Sequence, residues 1–121
     1  MSFTLSLPPT TNHIWRVTRQ GRIYKTEEAK AWEQDAGFAA YYARVLARVP
    51  MAPKGVPVEV RVNYVLRYRR DADNGKLILD AFKGVLYDDD DQVFHLDTWK
   101  RKAAPGETPR VDVVVAWEVA G

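Results

Sequence analysis

Apolar and polar residues alternate most regularly between positions 56 and 69. Val56, Val58, Val60, Val62, Tyr64, Leu66 and Tyr68 fall on one face of an extended chain, and Glu59, Arg61, Asn63, Arg67 and Arg69 on the other. A period of two marks a strand with one buried face, so a long strand is predicted here. Phe3, Leu5 and Leu7 alternate with Ser2, Thr4 and Ser6 until Pro8-Pro9 ends the pattern, and Val111, Val113, Val115, Trp117 and Val119 repeat it near the end. A further strand is predicted over 92–102, and residues 14–25 read as a hairpin turning near Gln20-Gly21. After Thr26 the period lengthens to three or four. Ala29, Trp32, Ala36, Ala40, Ala43 and Leu46 then line one side of a helix running to about Arg48, with Thr26 as N-cap and Glu27 and Glu28 in the first turn. A second helix is predicted over 74–84, with Leu77, Ile78, Ala81, Phe82 and Val85 as its buried stripe and Gly84 as its stop. The expected fold is one α+β domain spanning 1–121, a mixed or mostly antiparallel sheet with two helices packed on it.

Composition narrows the class. There is no cysteine, which excludes disulfides and thiolate metal sites and fits a reducing compartment. The first residues lack the pattern of a secretory signal, and no apolar run approaches membrane-spanning length, so a cytoplasmic protein without a membrane partner is expected. The formal net charge of +2 conceals an asymmetry. Residues 71–91 hold seven acids and two bases, which leaves sixteen bases against nine acids in the other hundred residues. A basic body around one acidic locus suits an enzyme that uses a cation to act on a polyanion.

The acidic locus has two parts. Asp71 and Asp73 lie two apart, so on an extended backbone both carboxylates point the same way; Asp73 also reads as a helix N-cap. The run Asp88 to Asp91 follows the second helix, and a fold back over that helix would bring the two parts together. Alternation on an extended chain pairs Asp88 with Asp90 and Asp89 with Asp91. Carboxylates held close repel unless a cation joins them, and an all-oxygen donor set suits Mg²⁺. Lys76 reads either as an ammonium facing a phosphate or as an i,i+4 ion pair with Asp80. Arg67, Arg69 and Arg70, the run Lys100-Arg101-Lys102, and the hairpin bases Arg16, Arg19, Arg22 and Lys25 form the candidate phosphate-contacting surface. Of Trp15, Tyr24, Tyr42, Tyr68, Tyr87 and Trp99, one or two would stack on exposed bases and most would be core. His13 and His95 have no partner at metal-ligand spacing. The residues thus read as a metal-dependent nuclease.

With these motifs laid out, the chain resembles the RusA family of Holliday-junction resolvases, endonucleases of bacteria and prophages. The resemblance is most specific at Arg70-Asp71-Ala72-Asp73-Asn74, at Leu79-Asp80-Ala81-Phe82 with Gly84-Val85, and at Tyr87-Asp88-Asp89-Asp90-Asp91-Gln92-Val93. It extends to Pro8-Pro9, Asn12 and the Gly21-Arg22-x-Tyr24 hairpin. It implies that Asp71, Asp73 and Asp90 are the catalytic, metal-holding carboxylates, with Asp89 as the preceding acid and Gln92 fixing the register. It implies Lys76 as the catalytic lysine, although only Gly75 separates Asn74 from Lys76 where the family usually has two residues. It further implies Mg²⁺ (or Mn²⁺) as the only cofactor, and a homodimer whose two sites nick opposed strands of a four-way DNA junction during recombination and repair. The alternatives are a nuclease of the same chemistry acting on flaps or forks, and a non-catalytic junction-binding protein.

Overall fold

The computed structural model describes residues 1–10, 13–68 and 75–118. In chain order the elements are β1 (Ser2–Leu5), β2 (Trp15–Val17), β3 (Ile23–Lys25), α1 (Glu27–Leu46), β4 (Val58–Leu66), α2 (Gly75–Phe82), β5 (Val93–Lys102) and β6 (Arg110–Trp117). Four strands make one mixed sheet in the order β1-β6-β4-β5, and β2 pairs with β3 in a separate antiparallel hairpin. The α+β expectation holds. No helix among the described residues is long and apolar enough to cross a membrane.

The alternation in β4 sets the layers. Val58, Val60, Val62 and Tyr64 face the helices and are almost wholly buried. Register extends that face across the sheet: Val62 pairs with Val113, which pairs with Phe3, and Tyr64 pairs with Val111, which pairs with Leu5. Ala29, Trp32, Ala36 and Ala40 of α1 and Leu77, Ile78, Ala81 and Phe82 of α2 close the core from above. The Phe3 and Phe82 rings meet edge to face at 5.5 Å. Thr26 caps α1 as expected, its hydroxyl accepting from the Ala29 amide at 3.2 Å.

β4 and β5 run parallel, and parallel neighbours need a crossover. α2 lies within that crossover. Gly84, at φ +73°, turns the chain after α2, and its amide donates to the Tyr87 carbonyl at 2.7 Å. The Tyr87 hydroxyl in turn donates to the Leu79 carbonyl at 2.6 Å, so the returning chain is tied back onto α2.

Several boundaries and faces differ from expectation. α1 ends at Leu46, and Leu46, assigned above to the buried stripe, is 78% exposed, because it falls well round the helix from Ala36 and Ala40. Tyr68 follows the end of β4 and is exposed instead of sharing its buried face. Of the six aromatics weighed above, Tyr87 alone is core; Trp15, Tyr24, Tyr42, Tyr68 and Trp99 are exposed.

The helices approach closely at Gly37, where a Cβ would lie 3.2 Å from the backbone oxygen of Ala81. That oxygen belongs to α2 and has little room to give. Gly37→Val is therefore expected to lower stability by about 1–3 kcal/mol through overpacking, despite its better helix propensity. Urea denaturation of the two proteins would measure it, and an unchanged midpoint would show that α1 and α2 can slide apart.

Candidate active site

The acidic turn is built on a buried amide. Gln92 is 5% exposed and is the only buried polar side chain among the described residues. Its oxygen accepts from the backbone amides of Asp88 (3.0 Å) and Asp89 (3.4 Å), and its NH2 donates to the carbonyls of Pro53 (2.9 Å) and Val56 (3.2 Å). Asp89 caps the 3₁₀ turn Asp90–Gln92, accepting from the Asp90 amide at 2.7 Å. Donation from the Asp90 amide, then the nearby Lys83 ammonium, holds the Asp89 carboxyl below the usual range. The turn replaces the simple alternation expected for residues 88–91. Asp88 and Asp89 keep more than half of their side-chain surface in solvent, whereas Asp90 keeps 27% and faces α2.

What Asp90 faces is a pair of ammonium groups. Lys76 Nζ lies 3.4 Å from Asp90 Oδ2, and Lys83 Nζ lies 3.9 Å from Asp90 Oδ1. Both lysines also reach Asp80 Oδ1, each at 3.4 Å. Lys76 thus makes the i,i+4 pair with Asp80 and meets Asp90 as well. Its contact with Asp90 shows the first turn of α2 brought back to the acidic turn.

Asp80 is the hub of this arrangement. Its side chain is 12% exposed, and Lys25 at the end of β3 approaches its Oδ2 at 3.3 Å while also pairing with Glu33 of α1 at 2.7 Å. Burial would push the Asp80 carboxyl up, but the Lys25 ammonium, aided by Lys76, holds it below the usual carboxylate range. Burial would likewise lower Lys25 and Lys83, yet the acids around them raise both. The Tyr87 phenol beneath is pushed up, first by burial and then by the charges of Asp90, Asp80 and Asp89. Asp80 and Lys83 escaped the sequence reading as site residues, and Lys25, read there as a phosphate contact, is held by Asp80 and Glu33. Lys25 and Asp80 are 55 positions apart, and no spacing rule links a hairpin end to the middle of a later helix.

The remaining expected residues scatter. Asp71, Asp73, Arg69 and Arg70 lie outside the described residues. Arg67 and Lys102 lie together at the far ends of β4 and β5, beside an open cavity of about 490 Å³ lined also by Ala103, Ala104 and Gly106. The run Lys100-Arg101-Lys102 does not form one surface. Lys100 and Lys102 pair in register with Tyr64 and Leu66. Arg101 is held instead by a two-pronged pair with Glu107, both contacts 2.7 Å. Arg16, Arg19 and Arg22 are exposed on the hairpin.

A different cluster has metal-ligand character. Pairing of β4 with β5 sets Glu59 against His95, with Asp97 two residues on, and one donor atom from each lies within 4.8 Å of the others. Strand pairing thus supplies the partners that spacing denied to His95. Arg61, however, places its guanidinium 3.0 Å from Glu59 and 4.0 Å from Asp97, and His95 Nε2 lies 3.0 Å from Asp97. Glu59 and Arg61 alternate with the core valines, so this cluster occupies the face of the sheet turned away from the helices. One guanidinium thus offsets part of the charge of its two carboxylates.

Residues 6–116 match the family model for endodeoxyribonuclease RusA. The chain belongs to the RusA endodeoxyribonuclease family. Membership makes it a nuclease that works on DNA, and it places the α2 and acidic-turn motifs inside the matched region. No curated protein matches the chain. Among the described residues, the donors at Asp90 are carboxylates only, with no thiolate and no imidazole, a set whose chemistry fits a hard divalent cation.

Two outcomes test this construction. Gln92→Glu keeps the acceptor for Asp88 and Asp89 but turns the donor facing Pro53 and Val56 into a buried carboxylate oxygen. It is expected to cost about 3 kcal/mol or more, read from urea denaturation, and a neutral effect would show that the amide does not hold the turn. Asp80 has a depressed pKa, so its ion pairs contribute stability that is complete above the unfolded carboxyl value near 4 and is lost as the pH falls through the folded value. Asp80→Asn should therefore lower the denaturation midpoint at pH 7, with the difference shrinking below about pH 4. An equal deficit at both ends of that range would assign the effect to packing.

Proposed function

We propose that this protein is a Mg²⁺-dependent endonuclease that resolves four-way DNA junctions, acting as a homodimer that nicks two opposed strands. The observation that carries the reading is Asp90, the most sheltered member of its acidic turn for which exposure separates the candidates, set against Lys76 and Lys83 at α2 in a chain of the RusA family. Asp71, Asp73 and Asp90 would hold the ion, with Asp89 beside them. Mg²⁺, or Mn²⁺ in its place, supplies Lewis acidity toward water and the scissile phosphate when bound.

The chain's own groups do the rest. Asp80 keeps the Lys76 and Lys83 ammoniums in place beside Asp90, where positive charge would meet the developing charge of the phosphate. Arg69 and Arg70 with Arg67, Lys100 and Lys102, and Arg16, Arg19 and Arg22 would position the DNA backbone, while Arg101 stays with Glu107. Such contacts fix orientation and carry little sequence information, which suits recognition of a branched shape.

Asp71→Asn, Asp73→Asn and Asp90→Asn should each lower cleavage of a synthetic four-way junction on the order of 10²–10³-fold, as expected for loss of an electrostatic group at the reacting centre. Junction binding should persist, because each change removes a negative charge from a polyanion site. Asp88→Asn and Asp91→Asn should cost far less. Near-normal cutting by Asp90→Asn would defeat the assignment, and equal cutting of flaps, forks and junctions by the unaltered protein would defeat the junction specificity.

A further inference from the structure

The outer side of α1 carries an unpartnered apolar stripe. Phe38, Tyr41, Tyr42, Val45 and Leu46 follow one another at three-to-four spacing, and their exposures are 61%, 50%, 66%, 49% and 78%. On a helical wheel they lie opposite Ala29, Trp32, Ala36 and Ala40, the residues α1 buries against the sheet. A helix apolar on two opposite sides has a second partner to meet. The five side chains expose on the order of 500 Å², comparable with the largest patches on monomeric proteins, which are often functional. The Arg44 guanidinium sits over the Tyr41 ring at 5.4 Å and donates to the Val49 carbonyl, which fixes one aromatic of the stripe in advance.

We infer that this stripe is where two copies of the chain meet, α1 against α1 in antiparallel sense. The inference rests on the dimeric reading above for its role in catalysis, but the surface itself names the occupant. An isologous contact must be complementary to itself. Turning the stripe end for end about a two-fold axis between Tyr41 and Tyr42 lays Phe38 level with Val45 of the second copy and superposes the apolar section on itself. The same turn brings the acid-bearing half of the helix, with exposed Asp35, level with the basic end at Arg48. Parallel alignment would set like charges side by side. Two such patches bury roughly 1,000 Å², the lower bound for a specific interface. DNA is a poor occupant, because a polyanion gains little from five apolar side chains.

The chain has no cysteine, so single thiols report cleanly. The full-length Tyr42→Cys protein, treated with a short bis-maleimide, should give a covalent dimer, whereas Trp99→Cys on the far face of the sheet should not. Val45→Glu should raise the dimer dissociation constant by about a hundredfold or more in sedimentation equilibrium, because each dimer would bury two carboxylates. Its far-ultraviolet circular dichroism spectrum should be unchanged, since Val45 is exposed. Dimers that persist in Val45→Glu, or that crosslink through residue 99 as readily as through 42, would overturn the interface and leave the nuclease reading intact. A wild-type protein still monomeric at roughly 100 μM would overturn it too, and flotation of that monomer with anionic lipid vesicles would assign the stripe to a bilayer. Conversely, crosslinking and dissociation as stated, in a protein that cuts no junction, would uphold the interface and remove the resolvase.

Discussion

Carboxylates can be gathered only where positive charge is gathered with them, and that constraint shapes this molecule around Asp80. The group is nearly buried, and burial alone would favour its neutral form. Lys25, Lys76 and Lys83 converge on it from β3, from the first turn of α2 and from just beyond its end. Because Lys76 and Lys83 reach past Asp80 to Asp90, the same ammoniums bind the acidic turn to the helix. Because Lys25 also pairs with Glu33, they bind the hairpin to α1. One carboxylate thereby ties the hairpin, α2 and the acidic turn together.

Topology explains why this knot sits where it does. A parallel β4–β5 pair obliges the chain to travel back along the sheet, and α2 is the return path. The acidic turn comes at the end of that path, immediately before β5 begins. Gln92 fixes it there by bonding at once to the turn and to the loop before β4. The register of Asp90 is thus set by a buried neutral amide and not by the acids themselves, which repel one another.

Periodicity made most of the fold legible. The alternation from Val58 to Tyr64 and the three-to-four stripe from Leu77 to Phe82 give the correct buried faces because each element packs on the sheet for its full length. The same reasoning failed at Leu46, which falls round the helix from the stripe that α1 buries, and over Lys100-Arg101-Lys102, where alternation divides the run between both sides of β5. Local pattern says which residues share a face; it does not say which strand lies at an edge. β5 is an edge strand, so Phe94, Leu96 and Trp99 stay exposed though the composition of the strand suggests core. The acidic turn was visible as a motif, but its lysine partners depend on contacts between β3, α1 and α2 that only tertiary packing creates.

Pairing also decides which bases remain to attract phosphate. On the outer face of the sheet Arg61 is occupied by Glu59 and Asp97, Arg101 by Glu107, and Arg110 by Glu107 and Asp112. Arg101 first, then the Ala104 amide, holds the Glu107 carboxyl far below its usual range, and the acids and bases of this face nearly balance in number. Among the described residues no such acid is paired with Arg19 or Arg22 on the hairpin, nor with Arg67 or Lys102 at the ends of β4 and β5. A polyanion follows net charge and not the number of bases. On the proposed reading, DNA therefore approaches the hairpin and the strand ends, and the zwitterionic outer face of the sheet stays clear of it.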